Sequence, residues 1–200
     1  DRSQQFYLDT ISSSGNSLMA VINDILDYAR IGSGKLSLED IDFDLEILIS
    51  ETIRLFTAQA LEKQLSLHVG LEPGVPRRIR GDPTRLKQIL MNLLGNAVKF
   101  TESGEISLRI SRLSEKNGVH TLAFEVHDTG IGMTGDEVEQ LFQPFYQADY
   151  SPFSRLRGTG LGLSIVRELA EQMDGSIEVE SERHHGTRFR VVLPFSEVDS

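Results

Sequence analysis

Asn92, Asn96 and Lys99 lie four and three residues apart in the run QILMNLLGNAVKFT, Gln88–Thr101. On a helix those spacings put all three on one face, while Leu86, Leu90, Leu93, Leu94 and Ala97 share the opposite, buried one. Two amides and an ammonium in a row are either a solvated surface or a binding face. In the second case the amide oxygens suit magnesium, which takes hard oxygen ligands in octahedral geometry, and the ammonium suits phosphate. A second cluster, HDTGIGM (His127–Met133), sets a carboxylate at the end of a strand-like stretch and follows it with Gly-x-Gly. Gly130 and Gly132 allow the backbone close to a ligand, and the Asp128 carboxylate can accept from an exocyclic amine such as that of adenine. Guanine presents a carbonyl there and would be rejected. The same residues would also make a plain Asp-x-Gly turn. The third cluster, GTGLGLSIV (Gly158–Val166), opens a helix with closely spaced glycines whose N–H groups can surround a phosphate with the helix dipole behind them. No Gly-Lys-Ser/Thr follows, so this is not a Walker A loop, and no parallel β-α-β unit contains it. A hinge without a ligand is its other reading.

These clusters need elements to hold them. Residues from about 3 to 31 carry Tyr7, Ile11, Leu18, Ile22, Ile25 and Ala29 at helical spacing, and Gly32–Gly34 ends that helix. Beyond it, Ile41–Leu45 reads as a short strand, Glu46–Glu62 as a helix and Leu65–Val69 as a strand. The stretch Glu72–Pro83 reads as turns, with Pro83 as the first residue of a helix that ends near Phe100. Residues 104–113 and 120–128 alternate as antiparallel strands, 160–173 is helical, and 175–182 with 186–194 closes as a hairpin. The expected fold is α+β, a two-layer α/β sandwich with helices on one face of one sheet. The domain boundaries follow: 1–35 an amphipathic helix that wants partner helices, 36–200 the sandwich. A net charge of −10 argues against general nucleic-acid binding, and the absence of cysteine excludes disulfides and thiolate metal sites. No apolar run approaches the ~20 residues that span a bilayer.

Taken in order, the three clusters resemble the N, G1 and G2 boxes of the histidine-kinase ATPases, a family allied to gyrase B and MutL. LFQPFYQAD (Leu141–Asp149) resembles the F box before the ATP lid, GTRFRVVLP (Gly186–Pro194) the closing strand, and Ser12–Leu36 the second helix of the dimerisation and phosphotransfer hairpin of hybrid sensor kinases. The resemblance implies an ATP- and magnesium-binding catalytic domain that passes the γ-phosphoryl to a histidine upstream of this sequence. It places Asn92 and Asn96 at magnesium and phosphates, Lys99 at the phosphates and Phe100 against the nucleotide. Asp128 would bind the adenine amine, with Gly130 and Gly132 beside it and Thr187 helping. Gly158, Thr159, Gly160, Leu161 and Gly162 would form the phosphate-facing turn of a lid running from about Asp149 to Arg157, with Arg155 or Arg157 reaching the γ-phosphate. Implied partners are a second copy through the hairpin, a receiver domain and, in an alternative regulatory role, another sensor kinase. The implied location is the cytoplasmic side of a bacterial inner-membrane sensor.

The sequence departs from that family in two places. No histidine stands in the acceptor context, since His68, His120, His127, His184 and His185 all lie elsewhere, so this sequence should bind ATP without phosphorylating itself at the usual site. In the lid, Ser154 stands where an arginine is expected and Arg157 replaces a glycine, which with Pro152 should stiffen it. Gyrase-like ATPases carry a general-base glutamate where this sequence has Asn92; an amide cannot accept that proton, which favours phosphotransfer over hydrolysis.

Overall fold

The computed structural model describes residues 37–147 and 159–198, together with Gly15, Leu18, Met19, Ile22, Ile25, Leu26 and Ala29. Those isolated residues are helical, where the sequence predicts the long first helix; the remainder of that helix lies outside the described residues. The described chain then runs β1 (Ile41–Asp44), α1 (Leu45–Glu62), β2 (Ser66–Leu71), β3 (Arg78–Gly81), α2 (Pro83–Phe100), β4 (Glu105–Lys116), β5 (Val119–Asp128), α3 (Gly135–Gln140), α4 (Gly162–Gln172), β6 (Ser176–Glu182) and β7 (Gly186–Glu197). The strands form one sheet in the order β1-β3-β7-β5-β4-β2, with β6 also paired to β7. β2 runs parallel to β4, and the other pairings are antiparallel.

Alternation along the central strands decides which face is covered. Ile106, Leu108 and Ile110 of β4, Leu122, Phe124 and Val126 of β5, and Phe189, Val191, Leu193 and Phe195 of β7 are buried. They share one core with Leu86, Ile89, Leu90, Leu93 and Leu94 of α2, Ile165, Val166 and Leu169 of α4, and Leu45, Ile49 and Phe56 of α1. Each such side chain contributes roughly 1.5–3 kcal/mol by burial. The surface pairs of the sheet, Arg188–Glu180 at 3.2 Å and Arg190–Glu178 at 3.4 Å, are worth at most about 1 kcal/mol each. The apolar layer therefore fixes the sheet, and the ion pairs only decorate it.

Two elements differ from the sequence expectation. The turn-rich stretch Glu72–Pro83 contains β3, which pairs with β1 and meets the end of β7 and fully buries Ile79. Four residues with one apolar side chain carry too little periodicity to announce a strand. Helix α3 also went unpredicted, although Thr134 and Glu137 form a capping box around its first turn.

Both ends of α2 are secured. Asp82, nearly buried, accepts the Arg85 amide through Oδ1 and the Glu39 amide through Oδ2, each at 2.9 Å, and Pro83 follows at the first helical position. At the other end Lys63 Nζ donates to the carbonyls of Val98 (2.7 Å), Lys99 (3.2 Å) and Thr101 (3.3 Å). A cation on the last carbonyls of a helix satisfies orphan acceptors and suits the dipole. Lys63→Met should lower stability by about 1–2 kcal/mol, read as a lower melting temperature in calorimetry; Lys63→Arg should recover much of it.

Candidate nucleotide site

Asp128 closes β5, opposite Thr187 on β7 and Ile106 on β4. The residue is 6% exposed, and its Oδ1 accepts the Gly130 amide at 2.9 Å. Burial pushes its pKa above the ordinary 3.8, against the pull of the Gly130 amide, His127 and the Thr187 amide. A carboxylate tucked under a sheet end needs a donor from outside the sheet to offset its desolvation.

The loop after Asp128 is sewn to two other parts of the chain. Ile131 N–H donates to Phe100 O at 3.3 Å, and a Cβ on Gly130 would stand 2.5 Å from that same carbonyl. On the other side, His184 N–H donates to Ile131 O (2.7 Å), Met133 N–H to Ser181 Oγ (2.9 Å), and Arg183 Nη1 to Gly132 O (3.1 Å). Arg183 also forks onto both oxygens of Glu137 at 2.9 Å, tying α3 to the β6–β7 turn. Ser181 Oγ continues to Gly186 O at 3.0 Å and lies 2.9 Å from Thr187 Oγ1. The closeness that Gly130 and Gly132 permit is thus, within the protein, an approach of chain to chain. Sequence reasoning overlooked Ser181, Arg183 and Glu137, because a serine and a charge pair in strand and turn positions look like ordinary surface.

Along α2, Asn92 Nδ2 donates to Gln88 O at 3.1 Å, and its Oδ1 sits where a Cβ on Gly162 would be only 2.7 Å away. Asn96 is half-buried, and its side chain has no hydrogen-bond partner among the described residues. Lys99 is half-buried too, its Nζ 4.9 Å from the centre of the Phe100 ring, with no carboxylate partner among the described residues. Desolvation lowers its pKa, as expected for a partly buried cation without an anion.

The third cluster is anchored at its near end. Phe145 N–H donates to Gly160 O at 3.0 Å; both residues have positive φ (64° and 72°), and a Cβ on Gly160 would stand 2.8 Å from the Phe145 carbonyl carbon. This contact joins the chain just before residue 148 to the chain just after 158. Leu161, almost fully buried, donates its amide to Thr159 Oγ1 at 3.1 Å, and α4 then begins with no side-chain cap on its first amides. Arg155, Arg157, Gly158 and the expected lid lie outside the described residues.

The three clusters therefore converge. One helix face touches the third cluster through Asn92 and Gly162, and its end touches the second through Phe100, Gly130 and Ile131. The result is a rim with a buried acceptor at one end and, at the other, an ammonium and an amide side chain that have no polar partner among the described residues, beside a helix start with no side-chain cap. Those groups suit a purine amine and a polyphosphate respectively. Among the described residues no cluster of three or more His, Cys, Asp or Glu is placed to hold a metal ion.

The fold is an α/β sandwich with the three clusters gathered at one rim. The chain belongs to the histidine kinase-, DNA gyrase B- and HSP90-like ATPase family, whose model matches residues 81–197. It is 40% identical over 186 residues to the signal transduction histidine-protein kinase BarA of Escherichia coli, covering 93% of this chain and 20% of that protein. It is 43% identical over 187 residues to the sensor histidine kinase GacS of Pseudomonas protegens, covering 94% of this chain and 20% of that protein. The chain thus spans about a fifth of the length of these relatives. Full-length ShkA in complex with AMPPNP matches it with a TM-score of 0.84 at 34% identity, over 99% of this chain and 40% of that one. The histidine kinase AdeS of Acinetobacter baumannii shares the fold, with a TM-score of 0.72 at 19% identity over 96% of this chain and 84% of that one. The chain carries the catalytic ATP-binding domain of sensor histidine kinases. Among the described residues no helix is long and apolar enough to cross a membrane.

Proposed function

We propose that this domain binds ATP with magnesium and, within a longer parent protein, supplies the γ-phosphoryl group to a histidine on a dimeric helical hairpin. The convergence of Asp128, the Asn92–Lys99 face and the uncapped start of α4 carries this reading. Asp128 accepts the adenine 6-amino group, with Thr187 beside it and Gly130 and Gly132 shaping the loop. Phe100 lies against the nucleotide. Lys99 and the amides of Gly160 and Gly162 face the phosphates, with Leu161 buried between them and Thr159, Gly158 and Arg155 or Arg157 joining from the lid. Asn96, with Asn92, offers amide oxygens to magnesium, which when bound neutralises phosphate charge. The Asn96 amide and the Lys99 ammonium, neither with a polar side-chain partner among the described residues, fit that pair of ligands.

Nothing on this face is a general base. Asn92 cannot take a proton from water, so the domain's contribution is to position the phosphoryl group and stabilise its charge for a nucleophile brought by the hairpin. The reading takes the parent to be a hybrid kinase, with a receiver domain as phosphoryl acceptor, a homodimer as working unit and a place on the cytoplasmic side of the membrane. Radiolabel transfer from γ-labelled ATP in the full-length parent tests this. Acid-labile, alkali-stable label on the protein is expected; release of inorganic phosphate without labelled protein would instead indicate a gyrase-like hydrolase.

Asp128 gives a pH signature. Its pKa is raised in the folded protein, so in the window between 3.8 and that raised value the folded state holds more protons than the unfolded one. Stability of the nucleotide-free protein from this group therefore rises as pH falls through the raised pKa, while ATP affinity falls because the acceptor is lost. Calorimetric titration across that window should show weaker binding at the acid end, and Asp128→Asn should flatten the dependence.

A further inference from the structure

Thr101 is fully buried, yet its hydroxyl has no hydrogen-bond partner among the described residues. Buried hydroxyls are nearly always paired, because an unpaired one loses its water without compensation. The other buried side-chain nitrogens in this condition, His120 Nδ1 and Arg190 Nε, each have a glutamate nearby, Glu115 at 3.7 Å and Glu125 at 3.2 Å. Thr101 stands instead at the Asp128 end of α2: the carbonyl of the preceding residue, Phe100 O, and Asp128 Oδ1 lie 2.5 and 2.8 Å from one point, the place of a Cβ on Gly130.

The backbone around it is held from several sides. Thr101 N–H donates to Ala97 O at 3.1 Å, Lys63 Nζ reaches Thr101 O at 3.3 Å, and the preceding carbonyl, Phe100 O, accepts from Ile131 and abuts Gly130. The hydroxyl can therefore turn while its Cα stays fixed. Valine has the same branched shape and would fill this space without an orphaned polar atom. A hydroxyl kept here despite its cost has its use at the carboxylate it adjoins.

Resting on the adenine-pocket reading above, we infer that Thr101 is a positioning residue for base recognition: its hydroxyl donates to the Asp128 carboxylate and orients the remaining acceptor positions toward the purine 6-amino group. It touches the base only through Asp128. Its effect must then depend on the amine being present, which a merely structural role would not.

The test compares ATP with purine riboside triphosphate, which lacks the 6-amino group, by calorimetric titration with magnesium on the 200-residue chain and its Thr101→Val and Thr101→Ser variants. Thr101→Val should melt at the same temperature or higher, bind ATP about tenfold more weakly, and bind the amine-free nucleotide within twofold of the unaltered chain. Thr101→Ser should restore ATP affinity. Equal ATP affinity in the unaltered chain and Thr101→Val, or equal weakening for both nucleotides, overturns the inference. Failure of the unaltered chain to prefer ATP over the amine-free nucleotide overturns the adenine-pocket reading itself, and the inference with it.

Discussion

Asp128→Asn should weaken ATP binding by about a hundredfold or more, equivalent to ~2.7 kcal/mol, while leaving the fold intact. Asp128 Oδ1 already takes the Gly130 amide. An asparagine that keeps this bond must turn its NH2 toward the place of the adenine amine, setting donor against donor in a site that water hardly reaches. The opposite flip breaks the Gly130 bond and puts two donors together there instead. Stability moves little, since replacing a carboxyl that burial disfavours as an anion removes a desolvation cost. Titration calorimetry on a variant with an unchanged melting temperature separates the two effects. Affinity within threefold of the unaltered chain would remove Asp128 from the base pocket.

The second large effect is on stability. Gly132 has φ +60°, and a Cβ there would stand 1.8 Å from the backbone carbonyl oxygen of Glu182. The left-handed conformation alone costs a non-glycine residue roughly 1–2 kcal/mol. The clash is with backbone, so it is relieved only by moving the β6–β7 turn, which breaks the Arg183–Gly132 and His184–Ile131 hydrogen bonds. Gly132→Ala should therefore destabilise by about 3 kcal/mol or more, a fall of roughly 6–12 °C in melting temperature, with loss of ATP binding. Gly135→Ala is the control. Nothing stands within 4 Å of a Cβ there, and the residue begins α3, so its melting temperature should hold or rise slightly. Equal behaviour of the two variants would show that the loop is not clamped by the hairpin turn.

Much of this architecture is readable from residue order, and the exceptions have physical reasons. Helix α2 declares itself by Pro83, by the apolar face from Leu86 to Ala97 and by the polar face from Asn92 to Lys99, and it forms where the pattern predicts. Strands β4 and β5 are long enough for alternation to show, and they pair antiparallel as expected. β3 escapes because four residues with one core side chain give no period to count. The clamp of Ser181, Arg183 and Glu137 escapes for a different reason. Its bonds to the loop and α3 join residues 46 or more positions apart, and nothing local marks a serine as the acceptor for Met133 or an arginine as a fork for Glu137. Lys63 is hidden likewise, a lone lysine after a helix until the end of α2 is folded against it. Gly132 shows how a correct signal can carry a second cause: Gly-x-Gly after Asp128 points to close approach, and within the protein the approaching backbone is that of Glu182.

The central claim is that the three clusters form one nucleotide site, with the base at Asp128 and the phosphates between Lys99, Asn96 and the start of α4. A crystal structure of this chain with magnesium and a non-hydrolysable ATP analogue tests it most directly. The adenine 6-amino nitrogen is expected about 3 Å from an Asp128 carboxylate oxygen, with the phosphates facing Lys99 and the Gly160 and Gly162 amides. A base bound away from Asp128, or phosphates that leave Lys99 and the α4 amides in water, would contradict it.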